Sequence, residues 1–412
     1  MGEWQQAWSD EAGARAARAL FERSFGGEPH GVWASPGRVN LIGEHTDYNG
    51  GLCLPIALPH RTYVAASRRD DGRVRMTTGL DSGQSWSGEL TDIAPGTVTD
   101  WVAYCGGPAW ALREHGVDVP GFDLAIASCV PLGAGLSSSA AVECAVGLAL
   151  ADLAGHPLDT GDEARATLAR LCVKAENDVA GAPTGGMDQA ASLRSRPGHA
   201  LLLDCLDGSI EHVALDLAAE GLELLVIDTR TEHSLADGQY GQRRASCEAA
   251  AEILGVATLR EVADSGERLD DVLARLGAGE PGAGAHGDGE TLRRRVRHVV
   301  TEIGRVREFV AAAGARDWAE AGRLMNASHA SLRDDYEVSC LELDTAAAAA
   351  EAAGALGARM TGGGFGGSAI ALVRAGDTDR VADAVLGAAK RTGLTRPVLH
   401  LATPSAPGER LA

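Results

Sequence analysis

Residues 36–50 (PGRVNLIGEHTDYNG) crowd Arg38, Glu44, His45, Asp47 and Asn49 between glycines. So many hydrogen-bonding side chains on one turn suit a ligand with many hydroxyls. A solvated polar loop is the bland alternative. A metal site built from Glu44, His45 and Asp47 is a rival, although their spacing matches no standard ligand set. A second segment, residues 131–140 (PLGAGLSSSA), runs into an alanine- and leucine-rich stretch. The first turn of a helix offers free N–H groups and the positive end of the dipole. Glycines let an anion approach the backbone and serine hydroxyls can ligate a cation, so this is a phosphate cradle that needs no lysine. The competing reading is a capped structural helix. A dinucleotide GxGxxG from Gly133 would need glycine at Ser138, and a nucleophile elbow from Gly135 would need glycine at Ser139. The third segment, residues 362–367 (GGGFGG), is flanked by strand-like runs and leads into no clear helix. Its glycines bring backbone close to a ligand or to the cradle.

These segments need elements to hold them. The periodicity predicts a helix over 10–26, a strand over 122–130 with Phe122, Leu124, Ile126 and Val130 on one face, and a helix over 140–154. A second helix is expected over 162–180, then the turn 181–186 and a short segment opened by Met187, Asp188 and Gln189. Residues 222–228 read as a buried strand, and 357–373 as strand, glycine loop, strand. The domains are expected at 1–220 and 221–412, with a glycine-rich mobile loop near 277–290 in the second. The basic run 293–297 reads as a solvated helix face.

Composition narrows the chemistry. The chain has 412 residues and a net charge of −20, which argues against a nucleic-acid or anionic-membrane binder. Its only lysines are Lys174 and Lys390, and neither sits in a GxxxxGK[ST] loop. A P-loop NTPase is therefore excluded, and the protein-kinase motif set is missing. Eight cysteines with no CxxC spacing read as reduced structural thiols. Residues 1–10 do not read as a signal peptide and no apolar run is long enough to span a bilayer, so a cytoplasmic protein is expected.

Taken in order, the three segments give the chain a specific resemblance. It resembles a galactokinase of the GHMP kinase superfamily, which includes homoserine, mevalonate and phosphomevalonate kinases. Residues 37–49 resemble the galactokinase signature, 131–140 the superfamily's ATP-binding motif and 362–368 its third motif. Residues 185–189 (GGMDQ) and 233–244 (HSLADGQYGQRR) match as well. The resemblance implies an α+β fold: an N-terminal domain like ribosomal protein S5 domain 2, and a ferredoxin-like C-terminal domain. It implies that Asp188 is the catalytic base beside Arg38. It further implies that Glu44, His45, Thr46, Asp47, Gly185 and Tyr240 bind sugar. ATP would lie on Gly133, Ala134, Gly135, Leu136, Ser137, Ser138 and Ser139, with Ser67 a further contact. Ser139 and Glu176 would hold Mg2+.

Elementary chemistry agrees with those roles. Phosphoryl transfer needs a phosphate cradle, a bridging hard cation, a carboxylate to take the hydroxyl proton and a fixed positive charge on the moving group. Beside a guanidinium, Asp188 would orient the hydroxyl and take its proton late. The expected reaction is phosphorylation of D-galactose at its anomeric hydroxyl, the first step of galactose catabolism by the Leloir pathway. Arabinose or N-acetylgalactosamine is the alternative sugar. A silent sugar-binding regulator and a Rossmann oxidoreductase are the more distant readings. The partners expected are galactose and ATP, with no nucleic acid and no membrane, and a monomer.

Overall fold

The computed structural model describes residues 4–80, 83–231, 238–277 and 287–411. The expected loop at 277–290 falls largely outside the described residues, as do positions 233–237 of the motif ending at Arg244. In chain order the described strands are β1 (Gly31–Asn40), β2 (Leu52–Cys53), β3 (Pro55–Arg69), β4 (Arg73–Thr78), β5 (Gln84–Glu89), β6 (Gly121–Ser128) and β7 (His199–Asp204). Then come β8 (Ile210–Ala214), β9 (Leu222–Asp228), β10 (Gly357–Thr361), β11 (Ser368–Arg374), β12 (Val398–Ala402) and β13 (Glu409–Arg410).

The largest sheet has the order β13-β1-β3-β6-β4-β5. Helix Asp10–Phe25 packs on one face of it, and helices Asp100–Glu114 and Ser138–Leu153 pack on the other. Every residue of β1 is buried. The pairing of β1 with β3 shifts register between Pro36 and Arg38. Such a bulge re-aims a side chain, here the one that ends in the cleft. Helix Ser138–Leu153 is apolar almost all round, which is the pattern of a helix sunk in a core. Burial pins its axis, so its N-terminal amides keep a fixed direction.

The second sheet has the order β10-β11-β9-β12, with every pairing antiparallel. Helices Gly289–Gly314, Trp318–Asp334 and Leu341–Ala352 lie between β9 and β10, and Thr378–Thr392 lies between β11 and β12. The strand sequence, with helices in the first and last connections, is the split βαβ arrangement of ferredoxin-like domains. The fold is thus a two-domain α+β architecture. Strand β13 returns to the first sheet, so the last residues cross the boundary expected near 221.

Two readings of the sequence need correction. Helix Asp162–Ala175 does not continue to 180 but widens into a π-turn, Glu176–Ala180. Such insertions in helices commonly fall at functional sites, and this one carries Glu176. The basic run is not a solvated face either. Arg295 is buried and pairs with Glu337 at 2.6 Å, while Arg294 meets Glu337 at 2.8 Å and Arg297 meets Asp335 at 2.9 Å. Those arginines clamp the 335–337 turn.

Candidate active site

The bulge in β1 delivers Arg38 to the floor of a cleft of ≈ 370 Å³. Its guanidinium grips Asp188 with both prongs: Nε donates to Oδ1 at 2.7 Å and Nη2 to Oδ2 at 2.8 Å. Nη1 donates to the carbonyl of Gly135 at 2.6 Å. A bidentate pair fixes orientation as well as charge. Ser137, which takes a left-handed backbone (φ 58°), donates its hydroxyl to Asp188 Oδ2. The acid–guanidinium couple and the serine-glycine loop therefore form one unit, although 150 residues separate Arg38 from Asp188.

Gly133, Gly135, Leu136, Ser137, Ser138 and Ser139 line the cleft. Ala134 lies behind them, buried, with its carbonyl accepting from Ser368 Oγ at 2.7 Å. The third motif packs directly against this loop. At Gly362 (φ 86°) a Cβ would stand 2.7 Å from the carbonyl of Gly135, so only glycine allows the approach.

The opposite wall is polar and buried. Glu44 accepts from Asn40 Nδ2 and, at 2.5 Å, from the Gly362 amide. Burial pushes its carboxyl upward against the pull of Arg359 and Arg38. His45 lines the cleft with its ring nitrogens at 2.9 Å from Tyr48 Oη and 3.2 Å from the Gly363 carbonyl. Glu44, His45 and Asp47 do not group as a metal centre. No cluster of three or more His, Cys, Asp or Glu suited to a metal occurs among the described residues. Burial, then the Asp188 charge, pushes Asp47 up to about 6. Tyr240 completes this wall.

Besides Ala134, four expected positions stand back from the cleft surface. The Thr46 hydroxyl is spent on the carbonyls of Gly43 and Leu52, at 2.9 and 2.7 Å, so it shapes the loop rather than facing a ligand. Gly185 backs Asp47; a Cβ there would meet Asp47 Oδ2 at 2.2 Å. Glu176 lies beneath the lining, within hydrogen-bond reach of Ser139. Ser67 lies away from the rest. It sits in β3 opposite Asp123, where its hydroxyl accepts from the His30 amide at 2.9 Å, and it does not line the cleft.

Glu176 is fully buried and pushed up to about 7, first by burial and then by the negative charge of Asp188. Gln189 Nε2 donates to it at 2.6 Å and to Glu143 at 3.2 Å. Glu143 is also raised by burial and by Glu176. This is a concentration of carboxylates short of positive charge. One hydroxyl and one carboxylate are a sufficient protein share for Mg2+, which prefers oxygen and keeps several waters. The donor set at Ser139 and Glu176 fits such an ion.

The cleft's far end is apolar and was not read from the sequence. Leu80, Trp101, Tyr104, Ile126 and Val142 line it, with Thr78 and Gln84 as polar neighbours. Trp101 and Tyr104 are three apart on helix Asp100–Glu114, one face of a turn. That spacing was the available signal.

Family models match the chain in three places. The galactokinase galactose-binding signature covers residues 19–68, the GHMP kinase N-terminal domain 103–196 and the GHMP kinase C-terminal domain 309–391. A Streptomyces coelicolor galactokinase is 50% identical over 401 residues, 97% of this chain and 99% of that protein. The chain belongs to the galactokinase family.

A human galactokinase is 42% identical over 375 residues, covering 87% of this chain and 88% of that one. Lactococcus lactis galactokinase, solved with galactose bound, superposes with a TM-score of 0.84 at 33% identity, covering 96% of this chain and 99% of the other. The three galactokinase segments read from the sequence thus meet at one cleft. Among the described residues no helix is long and apolar enough to cross a membrane.

Proposed function

We propose that this chain transfers the γ-phosphoryl group of ATP to the anomeric hydroxyl of D-galactose. The reading is carried by one observation: the bidentate Arg38–Asp188 pair lies between the serine-glycine loop and the Glu44–Asp47 wall. The purine would lie against Trp101 and Tyr104, where flat apolar surface suits an aromatic base. The triphosphate would then cross the amides of 133–139, with Ser137 to Ser139 adding donors. The sugar would occupy the polar wall.

In this arrangement Asp188 orients the anomeric hydroxyl and accepts its proton as the new O–P bond forms. Arg38 holds Asp188 in place and presents fixed positive charge to the moving phosphoryl group. A divalent cation at Ser139 and Glu176 would neutralise charge on the phosphates. Asp47 and Tyr240 sort sugars, because a wrong epimer leaves buried polar groups unpaired. Such sites reject analogues by about 10⁴-fold.

The test is a panel of galactose, glucose, arabinose and N-acetylgalactosamine in one ATP-consumption assay with Mg2+. Galactose should be far the fastest. Equal rates with glucose would overturn the specificity, and a clear preference for arabinose or N-acetylgalactosamine would reassign the sugar. We also propose a cytoplasmic monomer; light scattering should return the mass of one chain, and twice that mass would overturn it.

A further inference from the structure

Behind the cleft wall a line of polar atoms runs inward from His45. Its Nδ1 lies 2.9 Å from Tyr48 Oη, which lies 2.8 Å from Tyr336 Oη, which lies 3.1 Å from Cys247 Sγ. Tyr336 and Cys247 are fully buried, and His45 nearly so. The residues come from the sugar-motif loop, the turn after helix Trp318–Asp334 and helix Gln239–Leu254. His45 lines the cleft, whereas Tyr48, Tyr336 and Cys247 do not.

The polarity of this line follows from its end. His45 Nε2 lies 3.2 Å from the carbonyl of Gly363, and a carbonyl only accepts. Nε2 therefore carries a hydrogen. A neutral imidazole with Nε2–H has a lone pair on Nδ1, so Tyr48 donates to it. The Tyr48 oxygen then accepts from Tyr336, whose oxygen accepts from the Cys247 thiol. Burial raises both phenols and the thiol, so each keeps the proton it must donate.

We propose that Tyr48, Tyr336 and Cys247 form a one-way hydrogen-bond relay that holds His45 as the Nε2–H tautomer, with that hydrogen shared between the Gly363 carbonyl and a sugar oxygen. The inference rests on the reading of His45 as a sugar contact. Tyr48, Tyr336 and Cys247 are positioning residues, since they act through His45. The relay is itself anchored. The backbone oxygen of Tyr336 accepts from Arg243 Nε at 2.8 Å, and its ring packs on His298 with centroids 4.5 Å apart. The arginine clamp on Asp335 and Glu337 holds the same turn. The relay gives that arginine clamp a purpose in the cleft.

Nitrogen-15 NMR of histidine-labelled full-length protein tests the relay without substrate, with the His45→Gln variant identifying the signal. The Nε2–H pattern is expected; an Nδ1–H or doubly protonated ring would overturn the proposal. In kinetics, Tyr336→Phe should raise the galactose KM about 10-fold, the effect of one lost buried hydrogen bond. The ATP KM and kcat should stay near wild type. Equal rises for both substrates would mark a merely structural role and overturn the relay. Cys247→Ser keeps a donor and should hold the galactose KM within about 2-fold of wild type, whereas Cys247→Ala should raise it. A larger rise with serine than with alanine would contradict the polarity. Should the wild-type protein leave galactose untouched, the sugar reading fails while the NMR result still decides the relay.

Discussion

Glu302 and Glu176 are both fully buried glutamates, yet they end in opposite states. Burial pushes each one up. At Glu302 the push is outweighed by Arg305, then His298 and Arg359, and the carboxyl falls to about 2. Arg305 Nε lies 2.6 Å away, and the Gly43 amide and the Ser328 hydroxyl donate to the same carboxylate. At Glu176 no such cation arrives; Asp188 adds negative charge, and the carboxyl rises to about 7. Buried acids that build scaffold come with their cations. A buried acid left short of one beside a phosphate cradle is waiting for a ligand's charge.

This contrast can be broken or sharpened by substitution. The largest effect is expected at the acid that sits between the two classes. Asp188→Asn should lower kcat about 10³-fold, as loss of a positioned base does, with sugar affinity by calorimetry little changed. Near-normal turnover would remove Asp188 from the chemistry.

Next is Glu302→Gln, which strands buried cations and should cost about 3–5 kcal/mol in a denaturant titration. The matching change, Glu176→Gln, should leave metal-free stability undiminished, because there the charge is the burden. If both variants lost the same stability, the contrast would be empty.

The same region should respond to acid. Burial depresses His298 from 6.5 to about 4, so the folded chain binds fewer protons than the unfolded chain across that window. Its contribution is fully present above pH 6.5 and is lost as pH falls toward 4. At about 1.4 kcal/mol per unit it amounts to about 3 kcal/mol. Glu302 is depressed too, so its share is lost in the same direction, from about pH 4.5 downward. His298→Gln should flatten the stability profile between pH 4 and 6.5, and an unchanged slope would refute the assignment.

The smallest effect concerns the cation. Calorimetry with Mg2+ and a non-hydrolysable ATP analogue should show Glu176→Gln about 100-fold weaker in metal binding, since even outer partners of a metal cost 10–100-fold. Unchanged metal affinity would place the ion elsewhere.

What could be read from the sequence follows the same division. The cradle, the sugar loop and the third motif are local patterns, because glycines and caps declare a turn within a few residues. Asp188 entered through a short motif as well. The scaffold acids did not declare themselves. Glu302 has Arg305 three residues on along its own helix, but Arg359 meets it from another element at 3.9 Å, and that partner is invisible in the local sequence. Arg295 was read as surface because its partner Glu337 lies 42 residues on. The apolar end of the cleft was missed because Trp101 and Tyr104 look like ordinary core on one face of a helix. Where Ser67 faces was not legible either, because a strand residue's facing depends on pairing, and its pairing sets it opposite Asp123.

The central claim is that the Arg38–Asp188 couple carries phosphoryl transfer to the anomeric oxygen. Phosphorus NMR of the product formed from ATP, Mg2+ and galactose tests it most directly. The account predicts a new sugar 1-phosphate signal that grows with the wild-type chain and is all but absent with Asp188→Asn. A signal from phosphate on another sugar oxygen, or only free inorganic phosphate, would contradict it.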